Sequence, residues 1–329
     1  MTHKKVLVAD RIAKEGIDVL RDKGYDVDVK LDLTEDELAA QIAPYDAIVV
    51  RSATPVTRRV IEAAENLKIV GRAGVGVDTI DLDAATERGV IVCNAPTSNI
   101  MSAAEHTMAL ILGWYKSIVY LDTFLKAHRH SRELRYSGGE LCGKTVGIIG
   151  LGAIGQRVSA LCRAFGMNVL GHSRHPKSIQ GVENVGLEAL LARSDVVSLH
   201  VPATPETRHL MDRQAFRRMK PSAVLVNTAR GSVVHEADLI EALRRHQIAG
   251  ACLDVYEEEP LPQASQLRSL PNVLLTPHTA GYPDGVRLHA GRYSFFAGNL
   301  QRAWRGELPE NLLNQDAWKS WSPVPSADG

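Results

Sequence analysis

Residues Lys144–Phe165 read KTVGIIGLGAIGQRVSALCRAF, and the rest of the chain is organised around them. Thr145 to Ile149 is a short apolar, β-branched run of the kind that forms a strand buried on both faces. It enters directly into Gly150-Leu151-Gly152-Ala153-Ile154-Gly155, a G-x-G-x-x-G pattern. From there Ile154, Val158, Leu161, Cys162 and Phe165 recur at helical spacing, so the glycines stand at a strand-to-helix turn. Gly150 allows the tight turn, Gly152 lets backbone approach a pyrophosphate, and Gly155 lets helix pack close on strand. The phosphates then meet free N–H groups and the positive end of the helix dipole. The stretch predicts a dinucleotide site.

The same ground carries a rival pattern. Gly138, Gly143, Lys144 and Thr145 spell G-x-x-x-x-G-K-T, but a phosphate-binding P-loop must follow a strand and open a helix, whereas this one precedes a strand. It is expected to be a turn feeding the dinucleotide motif.

The segment after the helix bears on which dinucleotide is held. Asn168 to Gly171 is the second strand, and its end reads His172-Ser173-Arg174-His175-Pro176-Lys177. An NAD site wants a carboxylate about 20 residues past the glycines, to accept from the ribose 2′-OH. Ser173 occupies that place, 18 residues after Gly155. Serine brings no charge to repel a 2′-phosphate, and Arg174 can hold that phosphate in charge-assisted hydrogen bonds, with Lys177 near. NADP(H) is therefore expected over NAD(H).

At 329 residues the chain suits about two domains. Its 38 basic and 38 acidic side chains balance, so no electrostatic footprint for nucleic acid or an anionic membrane is present. The N-terminal MTHKKVLVAD lacks the apolar run of a signal peptide, and no stretch approaches the ~18 apolar residues of a membrane span, so a cytoplasmic protein is expected. Cys93, Cys142, Cys162 and Cys252 are scattered without a C-x-x-C, which argues for buried thiols over a metal site or a disulfide framework. His128 and His130, in a basic polar run, are expected at the surface and no metal is expected.

Residues 1–98 alternate strand and helix. Strands are predicted at Val6–Ala9, Val27–Val29, Ala47–Val50, Ile69–Arg72 and Val90–Cys93, with Thr34-x-x-Glu37 a capping box and Asp81 capping a short helix. The turn Gly74 to Gly76 has amides that suit an anion such as a carboxylate; a plain tight turn is the alternative. A long helix is predicted from Met101 to about Leu125, apolar enough to cross between domains or to pack on a partner subunit. A second α/β unit follows the glycine motif, with strands at Val196–Leu199, Val224–Asn227, Gly250–Asp254 and Val273–Thr276 and a helix capped by Asp212. Residues 288–304 read as helical, and the Pro/Ser-rich tail Trp321–Gly329 as mobile.

In doubly wound parallel sheets, ligands bind beyond the carboxyl ends of the strands. Arg230, Asp254, Glu259 and His278 all follow such ends. A histidine with a carboxylate partner has its tautomer fixed and suits a general acid. An arginine alongside grips a substrate carboxylate in two parallel hydrogen bonds and polarises the adjacent carbonyl. Transfer of a hydride to a 2-oxo acid needs those two functions plus a nicotinamide.

With these residues in view, the sequence resembles the D-isomer-specific 2-hydroxyacid dehydrogenases, the group of phosphoglycerate dehydrogenase and hydroxypyruvate/glyoxylate reductase, from about Val6 to Leu313. The matching stretches are GRAGVGVD at 71–78, NAP and SAAEH at 94–106, ELCGKTVGIIGLGAIG at 140–155, HVPATPET at 200–207, VNTARGSVVHEADLIEAL at 226–243, LDVYEEEP at 253–260 and TPH at 276–278. The resemblance implies that Arg230 binds the substrate carboxylate and carbonyl, that His278 is the acid/base and that Glu259 pairs with it. It implies cofactor contacts from Gly150, Gly152, Ala153, Ile154, Gly155, Ser173, Arg174, Val201, Pro202, Thr207, Thr228, Ala229, Asp254 and Ala280, with Asp254 on the nicotinamide amide. Substrate contacts are implied for Arg51, Ser52, Val75, Gly76 and Asn99.

The same resemblance implies an α/β fold in which a Rossmann-type doubly wound parallel sheet, residues 99–289, is inserted into a flavodoxin-like substrate-binding domain made of residues 1–98 and 290–329. It suggests a homodimer with the helix after Met101 at the interface. Ser173-Arg174 departs from the usual NAD-selecting acid and resembles the NADP-preferring reductases; Ile100 stands where threonine is common and Ser131 where tryptophan is common. No regulatory domain is expected after residue 313, an expectation that argues against serine feedback through a C-terminal sensor. The expectation is an NADP(H)-preferring reductase of a small 2-oxo acid of the glyoxylate or hydroxypyruvate type. The alternatives are an NAD-dependent phosphoglycerate-type or phosphite-type dehydrogenase and, from another class, a nucleotide-sensing corepressor-like binding protein.

Overall fold

Short runs rich in apolar residues supply most of the strands, and their alternate side chains enter opposite cores. The computed structural model describes residues 4–51, 53–97, 99–127, 138–281 and 296–321. By its internal contacts the chain divides into two units, one of Met1–Asn99 with Pro283–Gly329, the other of Ile100–Tyr282. The sequence-based expectation for the second unit was residues 99–289.

In the first unit, β1 (Lys5–Val8), β2 (Asp26–Val29), β3 (Ala47–Val50), β4 (Ile69–Arg72) and β5 (Ile91–Asn94) form a parallel sheet in the order β2-β1-β3-β4-β5, the flavodoxin-like arrangement. Leu7, Ile48, Val50, Val70 and Val92 face one core. Val6, Val8, Val49, Ile69 and Ile91 face the other, where Phe296, Ala297 and Leu300 of the helical residues 296–304 pack. Burial on both faces explains why the inner strands β1, β3 and β4 are mostly apolar, whereas edge strand β2 alternates Asp and Val. Two of the helices between them are capped as expected. At α2 (Glu35–Gln41), Thr34 Oγ1 accepts the Glu37 N–H while Glu37 accepts the Thr34 N–H at 2.9 Å. At α4 (Leu82–Glu87), Asp81 accepts the Ala84 N–H at 2.8 Å.

In the second unit, β6 (Thr145–Ile149), β7 (Asn168–His172), β8 (Glu183–Asn184), β9 (Val196–Leu199), β10 (Val224–Asn227), β11 (Gly250–Leu253) and β12 (Val273–Leu275) make a parallel sheet in the order β12-β11-β10-β9-β6-β7-β8. This is a Rossmann order, with the chain reversing direction of travel between β6 and β9. The strand β8 was not expected; its two exposed polar residues carry no strand signal. Helix α7 (Ala153–Ala164) buries Val158 and Cys162 on the face that also receives Met108, Leu110 and Ile111 of α5 (Ile100–Tyr115).

The single helix expected over 101–125 is two. Ser117 takes φ +48°, in the left-handed region, which ends α5; its carbonyl then accepts the Leu121 N–H of α6 (Ile118–Ala127), and the axes bend by 56°. Among the described residues no single helix is long and apolar enough to cross a membrane. Cys93, Cys162 and Cys252 are buried free thiols as expected, but Cys142 is exposed, because it lies in the turn that precedes β6 and not on a strand or packed helix. Ser52, His128, His130, Ser131, residues 288–295 of the expected last helix and residues 322–329 of the tail lie outside the described residues.

Candidate active site

The carboxyl ends of β10, β11 and β12 are adjacent in the sheet, so the loops that leave them are neighbours. Asn227, 1% exposed, ends β10 and shapes the first loop. Its Oδ1 accepts the Ala229 N–H at 3.0 Å and its Nδ2 donates to the Arg230 carbonyl at 2.9 Å. Arg230 donates from Nη1 to the Ala229 carbonyl at 2.6 Å. The next residue presses on the second loop: a Cβ placed on Gly231 would lie 1.7 Å from the Tyr256 carbonyl oxygen. Only glycine permits that approach.

In the second loop, the Tyr256 N–H donates to Glu259 Oε1 at 3.1 Å, which leaves Oε2 for the third loop. There His278 Nδ1 lies 2.5 Å from Glu259 Oε2. Both side chains are about one third exposed, so the pair is open to a small molecule. His278 has φ +54°, a costly conformation for a residue with a Cβ, and the surroundings hold it there. Its N–H donates to the Asp254 carbonyl at 2.8 Å. The Asp254 carboxylate, fully buried, accepts from Thr276 Oγ1 at 2.6 Å, the Thr279 N–H at 2.9 Å and the Ala280 N–H at 2.8 Å. Burial opposes its charge, but the donors, His106 foremost, outweigh burial and hold the carboxyl below the usual range. Asp254, expected on a nicotinamide amide, braces the turn that carries His278, a role that its spacing did not announce.

The glycine turn meets the steric requirements of a pyrophosphate cradle. Gly150 has φ +101°, and a Cβ there would lie 2.4 Å from the His200 carbonyl oxygen. A Cβ on Gly155 would lie 2.0 Å from the Gly150 carbonyl oxygen, while one on Gly152 would meet nothing within 4 Å. No side chain caps the amino end of α7, which leaves Ala153, Ile154 and Gly155 at an end suited to an anion. Gly138 and Gly143 to Thr145 lead into β6 and open no helix, as the strand context required. Val201 and Pro202 follow β9, and Thr207 Oγ1 ties their loop by donating to the Pro202 carbonyl at 2.6 Å. Thr228 follows β10. Ser173 and Arg174 follow β7; Ser173 Oγ donates to the His175 carbonyl at 2.8 Å, and Arg174 is close enough to the carboxylate of Glu206 to help lower its pKa after hydrogen bonds from Thr204 and backbone.

The first unit presents its own candidates at strand ends. Arg51 follows β3, Val75 and Gly76 follow β4, and Asn99 lies beyond β5. Asn94 Nδ2 donates to the Val75 carbonyl at 2.7 Å and the Ala95 N–H to the Gly74 carbonyl at 2.9 Å, which fixes the glycine turn. Asn99 Oδ1 is buried with no hydrogen-bond partner among the described residues.

Sequence alone passed over four residues. Asp10 takes the Arg51 N–H and Thr54 Oγ1, the latter at 2.7 Å, and so holds the turn after β3. Asn227, His106 and Thr107 support the second unit's loops. His106 falls inside the matching SAAEH stretch, yet no spacing rule assigns it a partner.

The chain matches the model of the D-isomer specific 2-hydroxyacid dehydrogenase NAD binding domain over residues 108–280. It is 45% identical over 315 residues to the D-3-phosphoglycerate dehydrogenase of Methanocaldococcus jannaschii, covering 94% of this chain and 59% of that protein. Across the curated relatives it matches at this level, the chain spans 50–59% of their length. Among solved structures it is similar to the TT0316 protein of Thermus thermophilus, at TM-score 0.87 and 35% identity over 94% of this chain and 99% of that one. It is also similar to an NADPH-dependent glyoxylate/hydroxypyruvate reductase of Sinorhizobium meliloti solved with NADP and malonate, at TM-score 0.84 and 27% identity over 99% and 100%. Together with the glycine turn and the loops of Arg230, Glu259 and His278, these likenesses carry one conclusion: the chain belongs to the D-isomer specific 2-hydroxyacid dehydrogenase family.

Proposed function

We propose that the chain interconverts a small D-2-hydroxy acid and its 2-oxo acid with a nicotinamide coenzyme, and that the substrate is of the 3-phosphoglycerate type. The observation that carries the chemistry is the His278–Glu259 pair, which joins the loops after β11 and β12 beside the loop of Arg230. The substrate class rests on likeness: the relative at 45% identity is named D-3-phosphoglycerate dehydrogenase, whereas the glyoxylate/hydroxypyruvate reductase is 27% identical. The comparisons therefore support the phosphoglycerate-type alternative better than the glyoxylate-type expectation. The smaller 2-oxo acids remain the second reading, favoured by Ser173-Arg174, which also keeps NADP(H) as the preferred coenzyme in this proposal.

When bound, the nicotinamide ring supplies or takes up the hydride that no side chain can carry. Gly152 and the open end of α7 would hold the coenzyme phosphates. Arg230 anchors the substrate carboxylate through its planar fork and draws electron density from the adjacent carbonyl. Glu259 accepts from His278 Nδ1, which leaves Nε2 to give a proton to the keto oxygen in reduction or to remove it from the hydroxyl in oxidation. Val75, Gly76 and Asn99, with Arg51 and Ser52, are assigned to the substrate.

We assign the exposed apolar residues of α6 to a contact with a second copy of the chain. Ile118, Val119, Tyr120 and Leu125 are 52–66% exposed, and α6 buries no residue within its own subunit. A dimer by sedimentation that Val119→Glu with Leu125→Glu converts to monomer supports this; a wild-type monomer refutes it. The function is tested by following coenzyme absorbance with D-3-phosphoglycerate, glyoxylate and hydroxypyruvate, each with both coenzymes. Turnover with none of them would remove the dehydrogenase reading.

A further inference from the structure

Helix α5 sends two consecutive side chains to the strand ends that carry the site. Thr107 Oγ1 donates to the Ala103 carbonyl at 2.7 Å, so its 2.8 Å contact with Thr228 Oγ1 is one in which Thr228 donates. His106 Nε2 lies 3.1 Å from Thr276 Oγ1 and 3.3 Å from Asp254 Oδ1. The single hydroxyl proton of Thr276 is committed to Asp254 Oδ1 at 2.6 Å. Both groups facing His106 Nε2 are thus acceptors, and Nε2 must carry a proton. Its N–H completes a set of donors around a carboxylate with no exposure to water.

That carboxylate decides where His278 stands. It holds the amides of Thr279 and Ala280, the Asp254 carbonyl holds the His278 amide, and Thr276 lies two residues before. The left-handed backbone at His278 is therefore gripped on both sides by a unit that His106 finishes from another element. We propose that His106 is a positioning residue for the reaction proposed above: by donating to Asp254 and Thr276, it keeps the His278 turn in the conformation that places Nδ1 on Glu259. The inference rests on that functional reading, and one arm of its test does not.

The function-independent arm is proton NMR. The proton held between His278 Nδ1 and Glu259 Oε2 over 2.5 Å resonates far downfield of the amides, and is assigned by its loss in Glu259→Gln. A second short pair, His209 Nε2 to Glu257 Oε1 at 2.5 Å, gives an internal control assigned by Glu257→Gln. In His106→Leu the first resonance shifts or vanishes while the control stays in place. In His106→Gln, whose amide nitrogen reaches the place of Nε2, the first resonance returns. The second arm is kinetic: His106→Leu loses on the order of 10-fold or more in kcat with little change in coenzyme KM, and His106→Gln recovers most of it. If the leucine variant fails to fold, His106→Asn, whose amide falls short, replaces it. Unchanged resonance and kcat in the loss variant, equal behaviour of leucine and glutamine variants, or equal movement of both resonances overturns the inference. Wild-type protein without turnover overturns the functional reading instead, and the resonances then decide the role of His106.

Discussion

Asp254 holds His278 and the two residues after it: the Asp254 carbonyl accepts the His278 N–H at 2.8 Å, and its carboxylate takes the next two amides, of Thr279 and Ala280, at 2.9 and 2.8 Å. A fully buried acid at the end of β11 thereby sets the backbone of a half-open histidine after β12. Asp254→Asn keeps the shape but can turn an NH2 toward groups that are themselves donors. The cost of an unmet buried donor is about 1–3 kcal/mol of stability. We expect that loss in a urea titration, with kcat/KM down on the order of 10²-fold from the displaced histidine. Native stability with native turnover would refute the bracing role.

Arg230→Ala should reduce kcat/KM on the order of 10²-fold or more, because charge developing on the substrate oxygen loses its partner. Arg230→Lys keeps the charge and loses the planar fork, so it should restore only part of the rate. Steady-state kinetics of the two variants decide this, and near-normal turnover by the alanine variant removes Arg230 from the assignment.

The glycine turn allows two roles to be separated. Alanine at Gly155 would drive its Cβ to 2.0 Å from a backbone oxygen that cannot swing away, whereas alanine at Gly152 meets open space at φ −73°. Gly155→Ala should lower the melting temperature. Gly152→Ala should melt like wild type and bind coenzyme on the order of 10-fold more weakly, since its methyl fills the place where a pyrophosphate approaches. Coenzyme fluorescence titrations on both variants measure this, and unaltered affinity in Gly152→Ala would move the phosphates elsewhere.

The range of the forces involved decides how much was legible in the sequence. The strands, the caps at Thr34, Asp81 and Asp212, and the glycine turn are local, because an apolar run or a cap three residues from its amide is written in adjacent letters. Arg230, Glu259 and His278 were also within reach, since a polar residue just past a strand is conspicuous. Asp10, Asn227 and His106 were not. Each acts on backbone or side chains brought near only by the fold, as His106 does across 148 and 170 positions to Asp254 and Thr276. The break in the helix after Met101 was missed because a serine within an apolar helix is ordinarily tolerated.

In the proposed preference for NADP(H), coenzyme choice turns on Arg174. Its neighbour Glu206 is a carboxylate that a 2′-phosphate would have to displace or tolerate, and Arg174 helps lower the pKa of that acid. Arg174→Ala should cut the ratio of kcat/KM for NADPH over NADH on the order of 10-fold, and Ser173→Asp should drive it further toward NADH by repulsion of the phosphate. A ratio unchanged by the alanine substitution would show that Arg174 makes no contact with the 2′ position.

His200, which follows β9 beneath the glycine turn, is expected to give the protein a pH dependence whose sign follows from its burial. Burial pushes its imidazole down from 6.5 to about 4, and Ser198 Oγ at 2.9 Å from Nε2 suits the neutral ring. Between those values the unfolded chain takes up a proton that the folded chain refuses, so unfolding is favoured as pH falls. The contribution is present in full above about 6.5, declines as pH is lowered toward about 4, and changes no further below that. Because part of His200 remains exposed, the loss is on the order of 2 kcal/mol, less than full burial would give. Carboxylates titrate in the same window, so the quantity to measure is the difference between wild type and His200→Gln in urea midpoints from neutral pH down to about 4. The difference should narrow as pH falls, to the disadvantage of wild type. Parallel loss of stability in the two proteins would mean that the His200 ring titrates alike in folded and unfolded chains.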